Sequence, residues 1–225
     1  MNNSNLIQIV SNDIHAFMEK NDELFFNERD FQMHLALWLK DSANKYEDVD
    51  LEYYIPFETL DKEYKEKWKS EPRLDIVVKK EGKYLPVELK YKTKSVQKKL
   101  RRFDEDIDLL SVLKNQGAQD LGMYGFWKDV KRIELVRNRF KKVIGGLAVF
   151  LTNDKAYMNV PKEKSNNYLL SISEGVHSKQ KHWSKPETTC AKKNPNFEVD
   201  KEYEINWHCA SAEGVELYYC IVPIN

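Results

Sequence analysis

Asp75, Glu88 and Lys90 bring two carboxylates and an ammonium group onto two neighbouring segments of the chain. Residues 73–79 and residues 84–91 both alternate with the two-residue period of half-buried strands. Two carboxylates that are held close together repel each other unless a cation lies between them, and Mg²⁺ prefers such oxygen ligands. We therefore expect a site for Mg²⁺, with Mn²⁺ as a substitute, if the two strands pair in the right register.

The loop between these strands sets the register. Gly82 can adopt the positive φ that a tight hairpin needs, and a loop made of Glu81 and Gly82 makes the numbers of paired residues sum to 163. Asp75 would then lie opposite Glu88, with Cβ atoms about 5 Å apart on one face. A three-residue loop would separate the two side chains. The opposite face of the first strand is expected to carry Leu74, Ile76 and Val78.

Lys90 is predicted to project from the same face as Glu88, because it lies two residues further along the strand. Its ammonium could orient a water molecule or help to deprotonate it, and it could offset charge on a phosphorane-like transition state. The alternative is an ordinary surface hairpin, since 32% of the residues of this chain are charged. Spacing alone leaves both interpretations open.

Glu28 lies at the predicted start of an amphipathic helix that runs to about Ala43. Asn27 is a typical N-cap residue, and Phe31 and Leu35 belong to the apolar stripe. Glu28 falls at the angular position of this stripe, so it would point inward and could add a metal ligand directly or through water. Alternatively, it only complements the helix dipole.

The order of these segments resembles the PD-(D/E)XK phosphodiesterase superfamily over about residues 25–130. The resemblance implies an α/β, restriction-endonuclease-like fold with a mixed central sheet flanked by helices. It implies a Mg²⁺-dependent nuclease that acts on DNA, with RNA as the alternative substrate. One departure is that Leu74 precedes the aspartate and the proline is displaced to Pro72.

The superfamily motif also implies a role for each matching residue. The catalytic set implied by the resemblance is Glu28, Asp75, Glu88 and Lys90. The implied metal ligands are Asp75, Glu88, Glu28 and the backbone carbonyl of Leu89.

A basic run without any acid lies between Tyr91 and Phe103. Beside a phosphodiesterase site, such a run could neutralise the phosphates of a nucleic-acid backbone, although charge runs are commonly solvated loops. Residues 104–108 are acidic and are predicted to begin a helix of the scaffold. The candidate nucleic-acid-binding residues are Lys92, Lys94, Lys98, Lys99, Arg101 and Arg102.

Gln119, Asp120 and Tyr124 form a second-rank set of candidates. In several branches of the superfamily, a Gln and a Tyr after the catalytic strand contact the substrate near the metal. Here Asp120, and not Gln119, lies four residues before Tyr124, so the match to the Q-x-x-x-Y pattern is incomplete. Packing or capping is the alternative role for each.

The length of 225 residues and the hydrophobic content of 41% are typical of one domain with a substantial core. We expect a nuclease-like core over residues 1–152. Residues 153–225 are expected to form a loop and a β-hairpin that elaborate the same domain. That segment could cover a face of the core, bind the substrate or form a homodimer.

The remaining composition constrains the setting of the protein. The formal net charge is zero, so any basic surface must be local. No apolar stretch of 18 residues exists, and the N-terminus lacks the features of a signal peptide, so we expect a cytoplasmic protein without a membrane partner. Cys190, Cys209 and Cys220 lack the paired spacing of a zinc site and are expected to be free thiols.

Three functional hypotheses follow from these residues. The first is a metal-dependent nuclease. The second is a nucleic-acid-binding or protein-binding module that keeps the fold without catalysis. The third is a nuclease subunit of a defence or mobile-element system in which a partner subunit supplies specificity.

Overall fold

A computed structural model of the chain describes residues 3–41, 45–60, 62–69 and 71–225. The helices are α1 (Asn3–Lys20), α2 (Glu28–Asp41), α3 (Lys62–Lys67), α4 (Gln119–Arg139) and α5 (Thr189–Lys193). The strands are β1 (Asp48–Tyr54), β2 (Arg73–Lys80), β3 (Lys83–Lys92), β4 (Val96–Arg102), β5 (Glu105–Leu113), β6 (Gly146–Thr152), β7 (Gly175–His177), β8 (Gln180–Lys181), β9 (Phe197–Glu198), β10 (Tyr203–Ile205), β11 (Trp207–Ala212) and β12 (Val215–Ile224). Ala43, the predicted end of the second helix, lies outside the described residues.

The central sheet has six strands in the order β1-β2-β3-β6-β12-β11. Strand β3 pairs in parallel with β6, whereas the other neighbouring pairs are antiparallel, so the sheet is mixed. Every residue of β6 is buried, as expected for a strand that is covered on both faces. The prediction of an α/β fold with a mixed central sheet flanked by helices is confirmed at this level.

Helices lie on both faces of the sheet and create two cores. Helices α1 and α2 pack on one face, where Ile14 and Leu35 join Ile76, Val87 and other strand residues. Helix α4 packs on the opposite face, together with α3 and the segment that follows β6. The six-stranded sheet therefore forms the middle of three layers.

The prediction of a helix after the basic run was wrong. Residues 105–113 form β5, which pairs with the basic strand β4 as a separate two-stranded hairpin. Phe103 and Asp104 form its tight turn with φ values of 52° and 64°. Arg101 lies opposite Asp106 in this hairpin, and Arg102 lies opposite Glu105. The register thus places basic positions of β4 opposite acidic positions of β5, an arrangement that favours paired strands, although acids near a segment start also favour helices.

The C-terminal hairpin is part of the central sheet. Strand β12 pairs with β6 from Tyr218 to Ile224, and it connects to β11 through a turn at Glu213 and Gly214. Residues 197–207 contain β9, β10 and the first residue of β11. In the described part of the chain, no helix combines the length and the apolar character that crossing a membrane requires.

Candidate active site

The hairpin formed by β2 and β3 has the predicted register. Ile76 lies opposite Val87, and the pairing continues to Lys80 opposite Lys83, so the paired residue numbers sum to 163. The two-residue loop has φ values of 51° at Glu81 and 67° at Gly82, which closes the hairpin tightly.

Asp75 is anchored across this hairpin by its side chain. The regular backbone pairing ends at Ile76 and Val87, and beyond it the Leu89 N–H donates to the Asp75 carboxylate at 2.6 Å. The amide of Gln32 on α2 donates to the backbone carbonyl of Asp75 at 2.7 Å. These contacts fix the Asp75 carboxylate beside the segment that carries Glu88.

The expectation that Leu74 would share a face with Ile76 and Val78 was wrong. Leu74 packs in the core on the α4 side, whereas the other two residues pack on the α1 and α2 side. Glu52 of β1 lies between the residues paired with Leu74 and Ile76, and its φ of 51° interrupts the regular pleat there. The irregularity is confined to the end of β2 that carries Asp75.

Glu28 points inward from the start of α2, as predicted. The Asn27 side chain caps the helix by accepting the Asp30 N–H at 2.9 Å. The Glu28 carboxylate accepts the Tyr91 N–H at 2.8 Å, and its other oxygen lies 3.9 Å from the Lys90 Nζ. Glu28 therefore links the first turn of α2 to the end of β3 that carries Lys90.

Helix α4 adds two charged residues that the sequence analysis missed. The Lys90 Nζ lies 2.9 Å from the Asp129 carboxylate. The Arg132 guanidinium donates to Glu88 Oε1 at 2.7 Å, and its second terminal nitrogen lies 3.1 Å from Asp129 Oδ1. Lys90, Asp129, Arg132 and Glu88 consequently form a continuous chain of ion pairs between β3 and α4.

A signal for these two residues was present in the sequence. Asp129 and Arg132 are three positions apart, in a stretch of α4 where Phe126, Val130 and Ile133 are buried. Charged residues that interrupt the buried side of a helix need partners, as Glu28 does on α2. The partners could not be named without knowing that α4 packs on β3.

Burial and mutual repulsion disturb the titration of the acids. Burial and then the nearby Asp129 raise the pKa of Asp75 to about 6, although the Leu89 N–H opposes the change. Glu88 is 1% exposed, and burial raises the pKa of its carboxyl well above the ordinary value, with Arg132 acting in the opposite direction. A nearby cation would stabilise the ionised form of these carboxylates.

Lys90 holds its proton firmly. Burial alone would lower the pKa of Lys90, but the charges of Asp129 and Glu28 outweigh it and raise the pKa above its ordinary value. An ammonium group in this environment is cationic at neutral pH. Of the two roles considered for Lys90, these contacts favour charge stabilisation over deprotonation of a water molecule.

The donor types at the site suit a hard divalent cation, since carboxylate and carbonyl oxygens are the ligands that Mg²⁺ prefers. Among the described residues, however, no three His, Cys, Asp or Glu side chains are grouped closely enough to hold an ion together. Each of the three carboxylates already accepts a hydrogen bond within the protein. Glu88 accepts one from Arg132, Glu28 accepts one from the Tyr91 N–H, and Asp75 accepts one from the Leu89 N–H. Leu89 follows Glu88 directly in the sequence, and its carbonyl remains a predicted ligand.

The basic run is partly neutralised within the protein. Lys94 pairs with Asp154 at 2.9 Å, and Lys98 pairs with the carboxylate of Glu213 at the tip of the β11–β12 hairpin. Arg101 lies 3.9 Å from Asp104 in its own turn. Lys92 is half-buried and Lys99 is exposed, and neither has an ion-pair partner among the described residues.

The second-rank candidates have structural contacts. Gln119 donates to the Asp154 carboxylate at 2.6 Å, and the Asp120 carboxylate accepts the neighbouring Leu121 N–H at 2.9 Å. The Tyr124 hydroxyl donates to the Pro195 carbonyl at 2.9 Å, and its ring stacks on Trp183 with centroids 5.5 Å apart. These contacts are those of packing and capping residues.

Comparisons of the chain with protein-family models, with curated proteins and with solved structures found no match. The class of the protein must therefore be argued from the sheet, from α4 and from the charged residues between them.

Proposed function

We propose that this chain is a Mg²⁺-dependent nuclease with a restriction-endonuclease-like core and that it hydrolyses phosphodiester bonds in DNA. The observation that carries the proposal is the register of β2 and β3. This register brings Asp75 beside residues 88–90 of β3. The Glu28 carboxylate accepts a hydrogen bond from the N–H of Tyr91, the next residue of β3. In an ordinary surface hairpin, the charged groups of Glu88 and Lys90 would be solvated by water. Here Glu88 is buried, and Lys90 lies beside Asp129 and Glu28.

In this proposal, Asp75, Glu88, Glu28 and the Leu89 carbonyl would hold Mg²⁺ or Mn²⁺. The metal would polarise the phosphate and lower the pKa of a bound water molecule. Lys90 keeps its proton and stabilises the negative charge that develops on the phosphate during in-line attack. Glu28 fixes the backbone beside Lys90 by accepting the Tyr91 N–H at 2.8 Å.

DNA is proposed to approach along the end of β3 towards the β4–β5 hairpin. Lys92 ends β3 and Lys99 is exposed on β4, so both ammonium groups could neutralise backbone phosphates. Lys94 and Lys98 would first have to exchange their intramolecular partners, Asp154 and Glu213, for phosphate. We therefore assign them a smaller share of the binding.

The proposal is tested by incubating the purified chain with plasmid, linear duplex, single-stranded DNA and RNA, with Mg²⁺ or Mn²⁺ and with a chelator. Cleavage should require the metal and should be lost in Asp75→Asn and Lys90→Met. Lys79→Met is the matched control, because Lys79 lies on the same hairpin but pairs with Glu47 at 3.5 Å.

Two outcomes would count against the proposal. Undiminished cleavage by Asp75→Asn would mean that the activity does not come from this site. Metal-independent binding of DNA without cleavage of any substrate would instead support the catalytically silent module.

A further inference from the structure

We infer that Arg132 is the internal counter-cation of Glu88 and that a divalent metal must take its place before Asp75 and Glu88 can share an ion. This inference rests on the proposed function, because it concerns the same site. It assigns to α4 a control over metal binding that the β2–β3 motif does not contain.

The contacts of Arg132 support this assignment. One guanidinium nitrogen donates to Glu88 Oε1 at 2.7 Å, and the other lies 3.1 Å from Asp129. Glu88 is 1% exposed, so water contributes little to the solvation of its carboxylate. A charge in this position requires a partner, and Arg132 is placed to be that partner.

A metal ion and Arg132 would compete for Glu88. An ion bound to both Asp75 and Glu88 would lie against the carboxylate that Arg132 already contacts at 2.7 Å. Two cations on one buried carboxylate repel each other strongly, because the low dielectric of the interior screens them poorly. Metal binding therefore requires the Arg132–Glu88 pair to lengthen or break.

Asp129 can retain the Arg132 guanidinium after the Arg132–Glu88 pair has broken. Its carboxylate contacts both Arg132 at 3.1 Å and Lys90 at 2.9 Å, so it can hold both cations after Glu88 has been released. The same residue then keeps Lys90 close to the strand that carries the metal ligands. Loading the metal and positioning Lys90 are thus coupled through one side chain of α4.

The test measures Mn²⁺ binding by calorimetry and thermal unfolding of the full chain with Mn²⁺ or with a chelator. Arg132→Gln keeps a hydrogen-bond donor near Glu88 and removes the charge. We expect it to bind Mn²⁺ about tenfold more tightly than the unsubstituted chain, or tighter still, because the competing cation is gone. With chelator it should unfold at a lower temperature, and Mn²⁺ should restore much of that loss.

Control variants separate this role from a purely structural one. Arg137→Gln removes an arginine from the same helix, where it pairs with Asp200 at 3.4 Å, and should leave the Mn²⁺ affinity unchanged. The double variant Asp75→Asn with Arg132→Gln should lose the tight binding, which locates the ion. If Arg132→Gln does not fold, Arg132→Met takes its place, since methionine also removes the charge, fills the space with a flexible side chain and should also bind Mn²⁺ more tightly than the unsubstituted chain.

The outcomes distinguish the inference from the proposed function. If the unsubstituted chain binds metal and cleaves DNA but Arg132→Gln or its substitute has the same Mn²⁺ affinity, the counter-cation role is refuted and the nuclease proposal stands. A stability loss that Mn²⁺ does not restore would likewise mean that Arg132 is structural. If neither the unsubstituted chain nor Arg132→Gln binds metal or cleaves any substrate, both proposals fail.

Discussion

Replacing Lys181 with methionine should stabilise the protein at neutral pH. Lys181 of β8 is fully buried, and its ammonium has no hydrogen-bond partner among the described residues. The ammonium lies 3.4 Å from the centroid of the Trp127 ring. Burial lowers the pKa of Lys181 from 10.5 to about 7, while Glu134 opposes the change. The folded state therefore disfavours the charged form of this lysine.

The expected magnitude follows from these contacts. The change in the pKa from 10.5 to about 7 corresponds to about 5 kcal/mol of disfavoured charging. Attraction between the ammonium and the Trp127 ring offsets about 2 kcal/mol of this. Methionine should then raise the free energy of unfolding by about 3 kcal/mol, since it can fill the space beside the indole.

The pH dependence of the free energy of unfolding provides an independent test. Between about pH 7 and pH 10.5 the unfolded lysine binds a proton that the folded lysine has lost, so the stability of the unsubstituted chain rises with pH. The slope contributed by this group is at most about 1.4 kcal/mol per pH unit, and Lys181→Met lacks it. The stability of the unsubstituted chain should therefore rise relative to that of Lys181→Met throughout this window, and the change should end near pH 10.5.

Urea unfolding at several pH values, followed by tryptophan fluorescence, measures both effects. Lys179→Met is the matched control, because Lys179 is exposed two residues away and should change the unfolding free energy little. The reasoning would be refuted if Lys181→Met lost stability at neutral pH, or if its difference from the unsubstituted chain did not change with pH.

Three further predictions concern the candidate active site. Asp129→Asn should lower the rate of DNA cleavage about tenfold or more and should also weaken Mn²⁺ binding, because it removes both the ionic partner of Lys90 and the carboxylate that holds Arg132 once Glu88 is released; single-turnover kinetics and calorimetry would check this. Asp75→Asn should stabilise the chelated protein by up to about 3 kcal/mol at neutral pH, since it removes a carboxylate whose folded pKa of about 6 exceeds 3.8. Urea unfolding at several pH values should show the full gain above about pH 6 and no gain below about pH 3.8. Lys99→Ala should weaken DNA binding for all sequences and reduce the slope of log affinity against log salt concentration by about 1, whereas an unchanged slope would exclude a phosphate contact.

The part of the site that the sequence predicts correctly is the part fixed by local rules. Gly82 and the alternation of the flanking segments determine the β2–β3 register, because a tight turn and a two-residue period allow few alternatives. Glu28 could be placed for the same reason, since Asn27 marks the start of α2 and the helical period gives the direction of the side chain.

What the sequence did not reveal depends on packing between distant segments. Asp129 and Arg132 reach Lys90 and Glu88 only because α4 packs on β3, and no short-range pattern encodes that contact. The acidic segment at 105–108 has a local preference for a helix start, yet its pairing with the basic strand β4 prevails.

The position of β12 in the sequence affects when the central sheet can fold during translation. This strand, residues 215–224, supplies the second neighbour of β6, whose other edge pairs with β3. Until β12 has left the ribosome, β6 presents an open edge and part of its core contacts are missing. The central sheet can therefore be completed only after residues 215–224 have left the ribosome, more than a hundred residues after the strands that carry Asp75, Glu88 and Lys90.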